Sequence, residues 1–267
     1  MYGAILGDII GSPYEFNGHN YKAKDFPLFS EQSKFTDDSV MTLAVAEAFM
    51  QAGLDADEEE ITKSLFRVMP EIGQRYPNCG YGGKFVTWIM REPRKPYYSF
   101  GNGSAMRVSS VAWLYDTLDA VRRAARLNAS VSHNHPEGIK GAEAIASAIF
   151  LARSGHSKDK IRRYITDAFG YDLSRTCDDI RPNYRMDATC QGSVPEAITA
   201  FLEGGDFEDV VRTAVSLGGD SDTIACMAGA IAEGYYGVPD DMKQVCRNRL
   251  TPDLLGILDK FLAMLSR

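Results

Sequence analysis

Two short acidic clusters stand out for the chemistry they could do. Thr36-Asp37-Asp38-Ser39 sits directly ahead of the apolar run Val40–Met50. Gly218-Gly219-Asp220-Ser221-Asp222-Thr223 sits ahead of a second such run, Ile224-Ala-Cys-Met-Ala-Gly-Ala-Ile-Ala. Threonine and aspartate are favoured at helix N-caps and first turns, so capping alone would explain the first cluster. Adjacent carboxylates nevertheless repel one another, and they gain most from a hard cation that takes oxygen ligands, such as magnesium or calcium. The second cluster repeats the pattern, with a glycine pair that lets the backbone turn tightly into its helix. Ala225, Ala228, Gly229 and Ala232 recur at spacings of three and four, which permits close helix approach and suits a helix at the centre of a bundle. A buried helix start with two carboxylates needs a counter-charge, and neither cluster contains Lys or Arg. If the two starts converge, their carboxylates and the hydroxyls of Thr36 and Thr223 suit a two-ion site. Ions ~3.5–4 Å apart there could activate water and polarise substrate oxygens.

Three smaller elements add to this. Gly7-Asp8-Ile-Ile-Gly11-Ser-Pro-Tyr-Glu15 places a glycine-framed turn and an acid near the N-terminus, or else a close-packed first helix whose glycines serve only packing. Gly101-Asn102-Gly103-Ser104-Ala-Met106-Arg107 reads as a glycine-rich loop leading into a helix, a geometry that can point backbone N–H groups at a diphosphate. An ordinary turn explains it equally well, and it is neither a P-loop nor a dinucleotide fingerprint. Ser132-His133-Asn-His135-Pro136 precedes another helix, and its histidines fit capping or ligand contact better than a metal.

The elements that must position these residues are helical. Val40, Leu43, Ala44, Ala46, Ala48 and Phe49 keep an apolar face through a segment starting at Thr36, and similar patterns recur near 57–68, 83–91, 104–114, 116–129, 136–153, 158–168, 191–203, 206–217, 221–236 and 251–265. Alternating β-branched runs with hairpin turns are absent, so the expected fold is an all-α, compact multi-helix bundle. The least helical stretches are 12–35, 70–82, 92–103 and 171–190. Similar helical composition on both sides of 171–190 makes residues 1–267 a single domain with long functional loops, since long structureless loops in compact domains tend to bind things. The acidic run at 55–60 reads as a solvated helix start.

Composition narrows the class. The 267 residues are 45% hydrophobic and 24% charged, with a net charge of −7, which is enough apolar content for a substantial core. A pI near 5.2 argues against a nucleic-acid binder, which would carry a basic face. The five cysteines show no CxxC spacing and read as reduced thiols in a cytoplasmic protein. No stretch approaches the ~18 apolar residues of a membrane span, and Asp8 interrupts the opening apolar run, against a signal peptide.

Taken in order, GAILGDIIGSPYE at 3–15, FTDDSVMT at 35–42, GNGSAMR at 101–107, SHNHPEGIKGA at 132–142 and GGDSDTIACMAGAIAEGYYG at 218–237 resemble the ADP-ribosylglycohydrolase family. YGGKF at 81–85 is also similar to family sequences. The resemblance implies an all-helical domain with a dinuclear magnesium, sometimes manganese, centre. It also implies hydrolysis of the glycosidic bond joining ADP-ribose to an acceptor such as a modified protein side chain. Residue by residue, it implies Thr36, Asp37, Asp38, Asp220, Asp222 and Thr223 as metal ligands, with Ser221 keeping a hydroxyl where the family more often has threonine. Glu15 would position water or the ribose, with Asp37 and Asp38 the other candidate acids. Gly101, Asn102, Gly103, Ser104 and Met106 would hold the ribose–diphosphate, and His133 would face the substrate. The competing readings are a catalytically silent ADP-ribose-binding or crystallin-like structural relative, and a two-metal phosphoesterase. Intact acidic clusters argue against the first; the absence of histidine clusters and the GNGSAMR match weigh against the second. The acceptor is not legible: arginine, serine, O-acetyl-ADP-ribose and a nucleic-acid end all fit, nucleic acid only as a modified substrate.

Overall fold

Among the described residues fifteen helices form and no strand, only one isolated antiparallel bridge between Gly101 and Thr189. The computed structural model describes residues 1–15 and 20–266. In chain order the helices are α1 (Tyr2–Glu15), α2 (Asp37–Ala52), α3 (Glu58–Arg75), α4 (Gly83–Met90), α5 (Gly103–Met106), α6 (Val111–Leu114), α7 (Leu118–Ser130) and α8 (Pro136–Arg153). They continue as α9 (Lys158–Phe169), α10 (Cys177–Ile180), α11 (Cys190–Glu203), α12 (Phe207–Val215), α13 (Ser221–Tyr236), α14 (Asp240–Arg249) and α15 (Pro252–Leu265). Thr117, Ser157, Thr189, Asp206 and Thr251 cap five of them by accepting a first-turn N–H. Asp57 and Glu60 cap α3 reciprocally, so the acidic run is indeed a solvated helix start.

The buried side chains form one continuous hydrophobic cluster from Met1 to Phe261. At its centre lies α13, buried at every position from Ser221 to Ala232 and packed against α1, α8, α11 and α12. Its approach to α1 is close enough to bear on the site. A Cβ on Gly3 would lie 2.2 Å from the Gly229 carbonyl oxygen, one on Gly7 2.0 Å from that of Ala225, and one on Gly11 2.5 Å from Asp222 Cα. The partners descend as the glycines ascend, so the helices run antiparallel and the last turn of α1 meets the first turn of α13. Glu233 pins the other end of this register by accepting from the N–H groups of Tyr2 (3.1 Å) and Gly3 (2.8 Å). The glycines of α1 therefore serve packing, and that packing carries Glu15 to the second acidic cluster.

Several boundaries differ from the sequence expectation, each for a local reason. The expected helix over 104–114 is two single turns, α5 and α6. Between them the backbone makes three-residue turns, with Val108 N–H on the Ala105 carbonyl (3.4 Å) and Val111 N–H on that of Val108 (3.2 Å). The glycine-rich loop therefore leads into one turn, too short to supply a substantial helix dipole. α3 runs through Pro70 to Arg75 because Met69, Pro70, Ile72 and Gly73 stay buried. α14 has no counterpart in the sequence expectation because it buries only Met242 and Cys246, too narrow a stripe to be periodic. No helix among the described residues is long and apolar enough to cross a membrane.

Candidate active site and metal centre

The first acidic cluster is docked by a residue that the sequence did not single out. Asp8, fully buried on α1, accepts from Thr36 N–H (2.9 Å), Thr36 Oγ1 (2.7 Å), Ser39 N–H (3.0 Å) and Ser39 Oγ. This carboxylate thus holds the start of α2 against α1. Burial outweighs these hydrogen bonds and pushes the Asp8 carboxyl up to about 6. Thr36 is the N-cap, with Oγ1 3.4 Å from Asp38 N–H. Capping explains Thr36 but not its neighbour: Asp38 Oδ2 accepts from Thr223 Oγ1 (3.2 Å), while Oδ1 is buried with no partner.

The second cluster is shaped by its glycines. Gly218 and Gly219 both adopt left-handed backbone (φ 71° and 68°), which turns the chain into α13 without Cβ strain. Asp220 occupies the N-cap but makes no capping bond; its Oδ2 accepts from Asn102 Nδ2 at 2.6 Å. The carboxylate oxygens of Asp8, Asp38 and Asp222 lie within 4.8 Å of one another, as do those of Glu15, Asp220 and Asp222. Asp222 thereby joins two sets contributed by the starts of α2 and α13 and by the middle and end of α1. Asp37, half-buried, lines the same cleft without belonging to either set.

These carboxylates have little to balance them. Burial first, then mutual repulsion, drives the Asp37, Asp38 and Asp222 carboxyls well above the usual range. Burial also raises Asp220 and pushes Glu15 up to about 7. Among the described residues no Lys or Arg forms an ion pair with any of them, and Lys34 acts on Glu15 only at a distance. Burying carboxylates without a partner is costly. A set of hard oxygen donors, one of them the orphaned Asp38 Oδ1, fits a divalent cation.

The cleft beside the acids measures about 350 Å³, within the range of small-ligand sites. Gly101, Asn102, Gly103, Met106, His133 and Thr223 line it, as expected from the sequence. Ser104 does not: it is fully buried, with its hydroxyl donating to the Gly138 carbonyl (2.7 Å) on α8. Of the two histidines in the SHNH segment, His135 caps α8 by accepting from Glu137 N–H (3.1 Å), and His133 enters the cleft. The 171–190 loop joins the site through Met186 and Ala188. It is stitched there by Asn102 N–H on the Ala188 carbonyl and Cys190 N–H on that of Phe100, both 2.9 Å. Phe85, Tyr97, Ser99 and Arg107 also line the cleft and carried no individual signal, since an isolated aromatic or hydroxyl names no partner.

Fold and site together define a class: an all-helical protein with a carboxylate pocket able to hold metal at one end of a ligand-sized cleft. Within that class the chain belongs to the ADP-ribosylglycohydrolase family, whose model matches residues 1–266. It is a glycosidic-bond hydrolase. It is 28% identical to human ADP-ribosylhydrolase ARH3, over 96% of this chain and 90% of the human protein. It is 25% identical to the ADP-ribosylarginine hydrolase Tri1 of Pseudomonas putida (strain GB-1), over 89% of this chain and 70% of that one. The solved structure of an ADP-ribosylglycohydrolase-related protein complex matches with a TM-score of 0.65 and 23% identity, covering 98% of this chain and 95% of that one. At that identity the match speaks for the fold.

Proposed function

We propose that this protein is a magnesium-dependent hydrolase that cleaves the bond between ADP-ribose and a protein side chain or related acceptor, and that residues 1–267 act as one domain. The observation that carries the reading is the convergence of Glu15, Asp38, Asp220 and Asp222 from three helix ends, with Asp37 beside them and no paired Lys or Arg among the described residues. Thr36, Asp37, Asp38, Asp220, Asp222 and Thr223 would hold two Mg²⁺ ions, with Mn²⁺ as a substitute. Such ions supply charge stabilisation and make hydroxide available near neutral pH.

The chain's own residues do the rest. The glycines at 101 and 103 leave the backbone open to a ribose–diphosphate, with Met106 and His133 completing the wall. Asn102 belongs to that loop and donates to Asp220, so the ligand-holding and acidic parts keep a fixed spacing. Fixed spacing of reacting groups is itself a large share of catalysis. Glu15 would position the attacking water or the ribose. It is also our choice to protonate the leaving group, because Asp37 and Asp38 are poor proton donors while they hold a cation. The substrate is an ADP-ribose conjugate, most simply a mono-ADP-ribosylated protein. The cysteines are all free, and all but Cys79 are buried, which suits the reducing cytoplasm.

The test is ADP-ribose release from a mono-ADP-ribosylated protein, followed by chromatography in Mg²⁺ and in chelator. Asp37→Ala and Asp220→Ala should each reduce release to background, as should the chelator. Undiminished release in both variants and in chelator would refute the reading.

A further inference from the structure

His133 is 5% exposed, and its Nδ1 lies 2.8 Å from the hydroxyl oxygen of Ser132. Ser132 is fully buried, and its Oγ also accepts from Arg107 Nη2 at 2.9 Å. A guanidinium can only donate, so this contact occupies a lone pair of the hydroxyl and leaves its proton free. If Nδ1 carried the imidazole proton, Ser132 would accept twice and its own O–H would be buried without an acceptor. That arrangement costs about as much as a lost hydrogen bond. The polarity therefore runs outward from Arg107: its N–H donates to Ser132, and the Ser132 O–H donates to Nδ1. A neutral ring that accepts at Nδ1 carries its proton on Nε2. Nε2 has no partner among the described residues and is directed at the glycine-rich loop. A Cβ on Gly103 would lie 3.1 Å from it, and one on Gly101 3.5 Å.

Arg107 is the unusual member of this chain of contacts. It is fully buried and pairs with no carboxylate among the described residues. Its Nε donates to Asn128 Oδ1 (3.0 Å), its Nη2 also reaches the Asn128 carbonyl (2.9 Å), and the guanidinium lies 5.5 Å from the Phe85 ring centroid. By claiming Oδ1 it orients the Asn128 amide, whose Nδ2 donates to the Ser104 carbonyl (3.0 Å) in the same glycine-rich segment. One buried cation thus sets the direction of hydrogen bonds on two sides of the cleft wall.

We propose that Arg107 is a positioning residue that, through Ser132, fixes His133 as the neutral Nε2–H tautomer. His133 then serves as a permanent hydrogen-bond donor to an oxygen of the ligand lying on Gly101–Gly103, not as a proton-transfer group. Only the identity of that ligand rests on the ADP-ribose reading. Burial and the nearby guanidinium also hold the imidazole well below its usual range, so the ring stays neutral as the hydrogen-bond polarity requires.

Nitrogen-15 spectra of the ligand-free, magnesium-loaded protein test this directly. His133 should show a protonated Nε2 and an unprotonated Nδ1 throughout pH 6–8, and the Nε2 signal should shift when ADP-ribose is added. A protonated Nδ1, an imidazolium, or an average of the two tautomers in the wild type would overturn the proposal. Ser132→Ala leaves the guanidinium in place and removes the relay. It should mix the tautomers and raise KM for a mono-ADP-ribosylated protein about tenfold with kcat changed less than about twofold, and Ser132→Thr should restore both. Arg107→Met should mix the tautomers in the same way; if it fails to fold, Ser132→Ala carries the test. Wild-type tautomer and KM in Ser132→Ala would overturn the relay. Absence of hydrolysis by the wild type would instead count against the activity, leaving the tautomer to be judged on its own.

Discussion

Replacing Gly7 by alanine tests whether the close approach of α1 to α13 builds the acidic site. The added carbon would lie 2.0 Å from the Ala225 carbonyl oxygen, 2.4 Å from its carbon and 2.6 Å from Cys226 N. All three are backbone atoms, so no side chain can swing aside. Reaching an ordinary contact of about 3.5 Å requires the helices to part by roughly 1.5 Å. Overpacking costs about 1–3 kcal/mol, and a rigid partner places this case at the upper end. Alanine's better helix propensity returns about 1 kcal/mol. The net loss of about 2 kcal/mol should lower Tm by roughly 4–8 °C in a chain of this size. Function should suffer more than stability, because Asp8 and Glu15 ride on α1 while Asp222 stays with α13. Metal–ligand distances tolerate only about ±0.2 Å, so magnesium should no longer raise Tm and ADP-ribose release should be lost. Gly256→Ala is the control: it lies within α15, where an added Cβ meets nothing within 4 Å, and it should gain up to about 1 kcal/mol with full activity. Calorimetry of both variants with and without magnesium is the assay. A Gly7→Ala protein with the wild-type Tm and an intact magnesium response would refute the argument.

Two further outcomes are expected. The carboxyl of Asp8 rises from its ordinary 3.8 to about 6 and that of Glu15 from 4.5 to about 7, so between about pH 4 and 7 the folded, metal-free protein binds protons that the unfolded chain has released. Stability in chelator should therefore fall as pH rises through that window, and the magnesium-induced gain in Tm should be larger at pH 7.5 than at pH 5; a chelated Tm that climbs across the window would contradict the sign. Away from the site, Glu143 on α8 is nearly buried and bonded by Arg122 (Nε, 2.9 Å) and Arg126 (Nε, 3.0 Å) of α7. Glu143→Ala should cost about 2 kcal/mol, less than a fully buried pair because both arginines reach solvent, with kcat unchanged in a standard turnover assay.

The two acidic clusters were legible because each writes its chemistry locally. Paired acids at a helix start with no neighbouring base are visible within six residues of text, and the glycine pair at 218–219 announces the turn that both positive φ angles require. Asp8 was not legible as the residue that docks α2, since its partners Thr36 and Ser39 stand 28 and 31 residues away and a lone acid in an apolar run names neither. Arg107 was hidden for the same reason: its partners on and beyond α7 are 21 and 25 residues distant. Ser104 shows the converse, a hydroxyl in a ligand-like motif whose side chain is committed to α8.

By itself the sequence determined most of the longer helices, the all-α class, and the residue types able to hold a cation, because period, capping and charge are written between near neighbours. Tertiary structure alone decided that Glu15 meets Asp220 and Asp222, that the 171–190 loop closes on Gly101, and that His133 rather than His135 enters the cleft. Those outcomes depend on the antiparallel register of α1 on α13 and on hydrogen bonds across long separations. Such register is set by which backbones can touch, and only the folded packing decides that.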